Sequence, residues 1–111
     1  MLTPLSSKTA VISGIGTWVP EKVLTNDDLS KIVDTNDEWI TTRTGIRERH
    51  IAAPGESCSD MAAKAAGAAL RSAGADPAEI DLLVIATITA DHSTPSTACL
   101  VQEKLGAKNA A

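Results

Sequence analysis

Two side chains in the stretch from Thr35 to His50 could bind a ligand together. Trp39 is one of two tryptophans in a 111-residue chain without Phe or Tyr, and Arg43 follows it by four residues, a spacing that shares one helix face. An indole stacks on flat rings and a guanidinium binds phosphate oxygens bidentately, so the pair suits a purine beside a phosphate. Such pairs are also common as cation–π contacts without any ligand, and the residues by themselves favour that structural interpretation.

A short helix is predicted to carry this pair. Thr35 and Glu38 have the spacing of a capping box, in which each side chain bonds the other residue's backbone N–H, so the helix should begin at Thr35. Gly45 should end it, because glycine readily adopts the left-handed conformation that closes many helices.

Acidic and basic residues are unevenly distributed along the chain. The net charge is -4 and the pI is about 5.0, which argues against nucleic acid as a partner. Acidic residues between Glu21 and Glu38 precede a basic block that contains Arg43, Arg47 and Arg49. This block could form a local positive site, or its members could make surface ion pairs with the nearby acids.

The two cysteines predict neither a disulfide framework nor a metal site. Cys58 and Cys99 have no CxxC or His-ligand spacing, which fits a reducing, cytoplasmic setting. Cys99 is expected to be a small apolar filler. Because the sequence opens without a basic and apolar leader and lacks a bilayer-spanning apolar run, we expect a soluble protein with no membrane partner.

Alternating strand and helix signals predict an α/β fold. Residues 1–8 should be flexible, and residues 9–111 should belong to a single structured domain. The run Leu82–Thr87 opens with five consecutive apolar residues, as in a strand buried on both faces. The other predicted elements are a strand over 9–16, a helix from Thr25 to about Val33, an alanine-rich helix over Ser59–Ala73, a helical turn after Asp76, and a helix capped by Thr94 and ended by Gly106.

Two further motifs are set aside. Gly14-Ile-Gly16 follows a predicted strand, but a third glycine is absent and Pro20 interrupts the expected helix, so a dinucleotide loop is rejected. The two glycines are more consistent with close backbone packing. Asp91-His92-Ser93 contains the residue types of a hydrolase triad, yet adjacent residues rarely have the required geometry.

The predicted elements leave exposed edges. Each strand would have an unpaired side, and the alanine-rich helix would lack a covering layer on one face. The chain is therefore expected to be the front of a longer domain.

A set of motifs extends from about Ala10 to the end of the chain. The most specific is Asp-Glu-Trp-Ile at 37–40 followed by Arg-Thr-Gly-Ile-Arg-Glu-Arg at 43–49. Others are Gly-Ile-Gly-Thr-Trp-Val-Pro-Glu at 14–21, Pro-Ser-Thr-Ala-Cys at 95–99 and Gln-Glu-Lys-Leu-Gly-Ala at 102–107. Together they resemble the β-ketoacyl-acyl carrier protein synthase III family of thiolase-like condensing enzymes.

This resemblance implies the front part of the first half of a thiolase-like αβαβα layered fold, in a homodimeric acyltransferase. Such enzymes condense an acyl group from acyl-CoA, often acetyl-CoA, with malonyl-acyl carrier protein and initiate fatty acid synthesis. Coenzyme A thioester is then a substrate, and no permanently bound cofactor is implied. By the same resemblance Trp39 stacks on the adenine, Thr35 bonds near it and Arg43 pairs with the phosphates, so the ligand-binding interpretation now leads.

The resemblance leaves the family's catalytic residues unmatched. Cys58, Cys99 and His92 are not the family's nucleophile and histidine, so no catalytic residue is assigned and the 111 residues alone should be inactive. The loop before Pro95 resembles one that lines the partner's acyl pocket, where many relatives carry Phe in place of Thr94. Two alternatives stay open: a stand-alone, non-catalytic coenzyme A-binding or partner-binding remnant, and a ketosynthase that primes polyketide synthesis.

Overall fold

Two short antiparallel strands enclose the segment of the chain that holds Trp39. The computed structural model describes residues 9–111, so the flexibility predicted for residues 1–8 lies outside the described residues. Strand β1 (Lys22–Thr25) pairs with β2 (Glu48–Ile51), with Lys22 opposite Ile51 and Thr25 opposite Glu48. The sequence did not predict this pairing, because β2 reads Glu-Arg-His-Ile and lacks an apolar face.

Two short helices, α1 (Asn26–Ser30) and α2 (Asp37–Thr44), lie between these strands in the chain and contact each other. Helix α1 begins as predicted, since Thr25 and Asp28 form a reciprocal capping box. It ends before Val33, because the N–H groups of both Ile32 and Val33 bond the Leu29 carbonyl in a tight turn.

The longest helix, α3 (Cys58–Ala73), matches its prediction within one residue. Ser57 and Asp60 form its capping box, and Gly74 closes it with φ at 65°. The predicted close approach of Gly14 and Gly16 is confirmed, since both lie against the backbone of α3. A Cβ atom on Gly16 would overlap backbone atoms between Ala65 and Ala69, so the chain can cross α3 here only without a side chain.

Helix α4 (Thr97–Leu105) packs on α3 after a 3-10 turn at Pro77–Glu79. Its N-cap is Ser96, so the prediction of Thr94 is wrong: the Ser96 side chain accepts the Cys99 N–H, and serine is the stronger cap of the two. Gly106 ends the helix as predicted. Within residues 9–111 the fully or nearly buried apolar side chains are Pro20, Ile40, Val101 and Ala107.

The predicted strands at 9–16 and 82–87 do not form as hydrogen-bonded strands. Leu82 and Val84 are 67% and 78% exposed, so the expected burial on both faces is wrong for the described residues. Leu83 donates to the Ala111 carbonyl at 3.1 Å and Ala111 donates to Asp81 at 3.0 Å, the start of a parallel pairing. These segments have strand sequences, but residues 9–111 contain no neighbouring strands to pair with them.

Candidate functional site

Helix α2 begins one residue later than the sequence predicted. Asn36, not Thr35, is the N-cap, and its side-chain oxygen accepts the Trp39 N–H at 2.8 Å. Asparagine is a stronger cap than threonine, and the shift moves Glu38 to the second helical position, where it cannot complete a capping box with Thr35. Gly45 ends the helix as predicted, with φ at 73°.

Trp39 and Arg43 lie on one face of α2, as their spacing predicted. The Arg43 guanidinium carbon is 4.7 Å from the centre of the indole ring, which is a cation–π contact. Trp39 is 52% exposed, so a large part of the indole is accessible to solvent. Ile40 is the one buried residue of α2, so the helix presents the Trp39 indole to solvent and does not bury it in the core.

Two shallow clefts flank the indole. One has a volume of about 410 Å³ and is lined by Asp34, Thr35, Asn36 and Trp39. The other, of about 320 Å³, is lined by Asn36, Glu38, Trp39, Thr42 and Arg43. The structure therefore brings together all three residues that the sequence singled out: Thr35 beside the indole in the first cleft, and Arg43 in the second.

The basic block of Arg43, Arg47 and Arg49, which begins in the last turn of α2, does not form the surface ion pairs that were one of its two interpretations. Within the described residues the ion pairs are Lys31 with Asp28, Lys64 with Glu56, and Lys104 with Asp60, and none includes Arg43, Arg47 or Arg49. Arg49 instead donates to the Leu24 carbonyl at 3.1 Å and to the Asn26 side-chain oxygen at 2.6 Å. Arg49 is thus half-buried and bonded to two elements, whereas Arg43 and Arg47 are exposed.

Asn26 is a residue that the sequence analysis missed. It is 1% exposed, and its side-chain amide donates to the Asp37 carboxylate at 2.7 Å and to the Ile46 carbonyl at 2.8 Å. The hydrogen bond from Asn26, and then that from Thr41, lowers the pKa of Asp37 below its usual value. Thr-Asn-Asp-Asp predicts a helix start, and nothing local in it indicates a buried asparagine that bonds three distant segments.

A second polar cluster ties α3 and α4 to the loop between residues 88 and 96. The buried Ser59 hydroxyl donates to Asp91 at 2.6 Å, and Lys104 donates to Ser59 and to Asp60, both at 2.6 Å. The Ser59 hydrogen bonds lower the pKa of Asp91, and the bond from Lys104 is the main cause of a lowered pKa at Asp60. The Asp91 carboxylate is therefore bonded to the first turn of α3. This position agrees with setting aside a triad at 91–93.

The two cysteines that the sequence offered as candidates lie at or near the surface. Cys99 is exposed, so the prediction that it fills an apolar gap is wrong in the described residues, because nothing there covers this face of α4. Cys58 is half-buried, with its sulfur 3.5 Å from the Thr87 hydroxyl.

In the part of the chain that the structure describes, no group of His, Cys, Asp and Glu could hold a metal ion. No helix among residues 9–111 is long and apolar enough to cross a membrane.

Comparison with solved structures defines the fold class. The chain superimposes on 3-oxoacyl-[acyl-carrier-protein] synthase III from Aquifex aeolicus with a TM-score of 0.83 and 56% identity, covering 89% of this chain and 32% of that one. It matches the priming β-ketosynthase of the R1128 polyketide biosynthetic pathway with a TM-score of 0.84 and 42% identity, covering 90% and 30%. The fold is thus that of a segment of a thiolase-like condensing enzyme.

Within that class, sequence identifies the chain as a homologue of β-ketoacyl-[acyl-carrier-protein] synthase III. It is 59% identical over 101 residues to the enzyme of that name from Solibacter usitatus, and 62% identical over 98 residues to the one from Xylella fastidiosa. These matches cover 91% and 88% of this chain. The chain spans about 30% of the length of each relative. No protein-family model matches it.

Proposed function

We propose that this chain supplies the nucleotide-binding surface for coenzyme A in an acyltransferase that condenses an acyl-CoA, such as acetyl-CoA, with malonyl-acyl carrier protein. The observation that carries the proposal is the half-exposed Trp39 between two clefts, with the Arg43 guanidinium against its ring. The names of the similar enzymes support the reaction, and the residues of α2 support the ligand.

The residues present fit the chemistry of a nucleotide. The Thr35 cleft reaches the indole without Arg43 in its lining, so a purine could meet the ring there while the guanidinium stays available for phosphate in the other cleft. The hydroxyl of Thr35 and the amide of Asn36 can bond the polar edge of a base. Coenzyme A thioester enters this proposal as a substrate that is bound and released.

The test is a comparison of two acyl donors in the full-length protein that contains this chain. Trp39→Ala should lower kcat/KM for acetyl-CoA by roughly 5- to 150-fold, because stacking of a base on an aromatic ring is worth about 1–3 kcal/mol. It should leave kcat/KM for acetyl-pantetheine, which lacks the nucleotide, unchanged. Trp39→Phe keeps a flat ring and should recover part of the loss.

Trp18→Phe is the matched control. Trp18 lies under Lys64, whose ammonium is 3.9 Å from the ring centre, and it lines clefts away from α2. This variant should keep wild-type kinetics with both donors. Equal losses with acetyl-CoA and acetyl-pantetheine in Trp39→Ala, or no loss with either, would contradict nucleotide binding at this surface.

Priming of polyketide synthesis is a second candidate for the whole protein. Its support is the similarity to the R1128 priming β-ketosynthase, whose TM-score of 0.84 is within 0.01 of that of the synthase III from Aquifex aeolicus. The two functions differ in their preferred acyl donor. A kcat/KM series from acetyl-CoA to longer and branched acyl-CoA substrates separates them: a preference for acetyl-CoA supports fatty acid initiation.

The assembly and location of the whole protein are further parts of the proposal. We expect a homodimer in the cytoplasm that uses malonyl-acyl carrier protein as its second substrate, on the basis of the family resemblance alone. Light scattering of the full-length protein would contradict the dimer if the mass were that of one chain. Replacement of malonyl-acyl carrier protein by malonyl-CoA should abolish condensation.

A further inference from the structure

We propose that Asn26 is a positioning residue for the coenzyme A surface: one buried side-chain amide, bonded to three segments, sets the orientation of the helix that carries Trp39 and Arg43. The inference rests on the proposed function and assigns a role that touches neither substrate nor reacting atoms.

The amide group of Asn26 holds both ends of α2. It donates to the carboxylate of Asp37, the first helical residue, at 2.7 Å, and to the carbonyl of Ile46, just beyond the last, at 2.8 Å. A longer contact of 3.3 Å reaches the Thr41 hydroxyl in the middle of the helix. Movement of α2 along or about its axis would break at least one of these bonds.

The other half of the Asn26 side chain is bonded to the strand pair. Its oxygen accepts from Arg49 on β2 at 2.6 Å, and the same guanidinium donates to the Leu24 carbonyl on β1 at 3.1 Å. The Asn26 backbone N–H also bonds the Arg47 carbonyl at 3.2 Å. The NH2 group of Asn26 faces the Asp37 carboxylate, and its oxygen faces the Arg49 guanidinium. These two charges fix which way the side-chain amide is turned.

Apolar packing alone cannot orient α2. The helix has eight residues, of which Ile40 is the buried hydrophobic one, so it lacks an apolar stripe that would hold one rotation. The polar network of Asn26 is therefore the feature that determines where Trp39 and Arg43 point. A ligand that needs the indole and the guanidinium at once would be sensitive to a small rotation of this helix.

The experiment places a carboxylate where the amide is. In the full-length protein, Asn26→Asp sets two carboxylates and a carbonyl against each other, and α2 should shift while the side-chain size is kept. We expect a rise of about tenfold or more in the Kd of coenzyme A measured by calorimetry, and a matching rise in KM for acetyl-CoA. The values of kcat and of KM for malonyl-acyl carrier protein should change less than twofold.

An exchange variant separates positioning from simple loss of stability. Asp37→Asn alone should have little effect, because the new amide can still present its oxygen to Asn26. Combined with Asn26→Asp it restores a donor–acceptor pair between the two positions, and coenzyme A affinity should recover at least threefold relative to Asn26→Asp alone. Asn109→Asp is the matched control, since Asn109 is exposed and bonds only Ala78, and its Kd should equal that of wild type.

Arg49→Lys provides a second route if Asn26→Asp does not fold. Lysine keeps the charge but loses the fork that bonds Asn26 and Leu24 together, so coenzyme A affinity should fall severalfold at unchanged kcat. If Trp39→Ala weakens coenzyme A binding while the folded Asn26 and Arg49 variants bind it normally, the positioning role is wrong and the proposed function stands. If Trp39→Ala binds coenzyme A normally, the proposed function itself is wrong.

Discussion

Arg43 and Trp39 contact each other, yet they would serve different parts of a bound nucleotide. The indole offers area, which is insensitive to salt, whereas the guanidinium offers charge, which salt screens. Their contributions to binding can therefore be measured separately in the same protein.

Arg43→Ala should lower the affinity of the full-length protein for coenzyme A by roughly 10- to 150-fold at low ionic strength, since hydrogen bonds to charged groups contribute about 1.5–3 kcal/mol. The difference from wild type should shrink as salt is raised, because the missing contact is ionic. Calorimetry over a salt series measures both effects. Arg71→Ala removes an exposed arginine from α3. It should change neither the affinity for coenzyme A nor the dependence of that affinity on salt.

Thr25→Ala should lower the Tm of the protein most near neutral pH. The Thr25 hydroxyl and then Lys31 lower the pKa of Asp28 from 3.8 to about 2 in the folded state. The stabilising effect of the ionised carboxyl is therefore complete above about pH 4 and is lost as the pH falls towards about 2. Without Thr25 the pKa of Asp28 returns towards 3.8, so the gap in Tm between variant and wild type should narrow across that window.

Thermal melts of the full-length protein between about pH 2 and pH 7 measure this gap. Ser30→Ala is the control in the same helix, because its hydroxyl bonds only the Asp27 carbonyl and no titrating group. Its effect on Tm should be small and independent of pH. A Thr25→Ala gap that stays constant over the whole range would contradict the link to Asp28.

At the scale of elements, Gly16 makes the closest approach to α3 among the glycines of the described residues. Gly16→Ala should destabilise the protein by about 1–3 kcal/mol or more, because the new methyl group meets helix backbone that cannot move aside. Gly67→Ala is the matched change within α3: its Cβ would approach only the tip of Arg71, at 3.5 Å.

Urea unfolding of the two glycine variants, each in the full-length protein, makes the comparison quantitative. Gly67→Ala should be neutral or stabilising by up to about 1 kcal/mol, since alanine favours helix over glycine. Equal stabilities for the two variants would mean that the predicted overlap at Gly16 is relieved by movement of the loop.

The elements that the sequence predicted well are those whose signals are local. Ser57, Asp60 and Gly74 lie within a few residues of the helix ends they define, and Trp39 and Arg43 meet through helix geometry alone. The pairing of β1 with β2 and the Asn26 network join residues 11 or more positions apart. The residues that face each other mix polar and apolar side chains without a periodic pattern, so the sequence could not indicate these pairings. At α2, two adjacent cap-forming residues, Thr35 and Asn36, left the first helical residue ambiguous by one position.

The described part of the chain is more extended than its length requires. The radius of gyration is 19.1 Å, whereas a compact chain of this length has about 13 Å. Large apolar side chains at both predicted strands are exposed, among them Val11, Ile12 and Val84. The solved relatives are about three times as long as this chain, and strands from such additional sequence would cover these residues.

The 111-residue chain, produced by itself, should therefore not unfold in a sharp, reversible thermal transition. We expect it to bind a hydrophobic dye and to self-associate, since its exposed apolar segments exceed what a stable monomer presents. Calorimetry and light scattering on the isolated chain measure this. A monomer with a cooperative, reversible melt would contradict the prediction and would favour a stand-alone protein.

The Ser59 cluster has a consequence for how this sequence can change. The Ser59 hydroxyl donates to Asp91 and accepts from Lys104 at the same time, and it has no accessible surface. Alanine or valine at position 59 would remove the hydroxyl that the Asp91 carboxylate and the Lys104 ammonium share, leaving Asp91 with the backbone N–H of residue 59 and Lys104 with Asp60, so the residues favoured at 59, 91 and 104 should depend on one another. In a library randomised at these three positions, surviving clones should show strongly correlated residue choices, whereas Glu103 and Lys108 on the exposed side should vary independently.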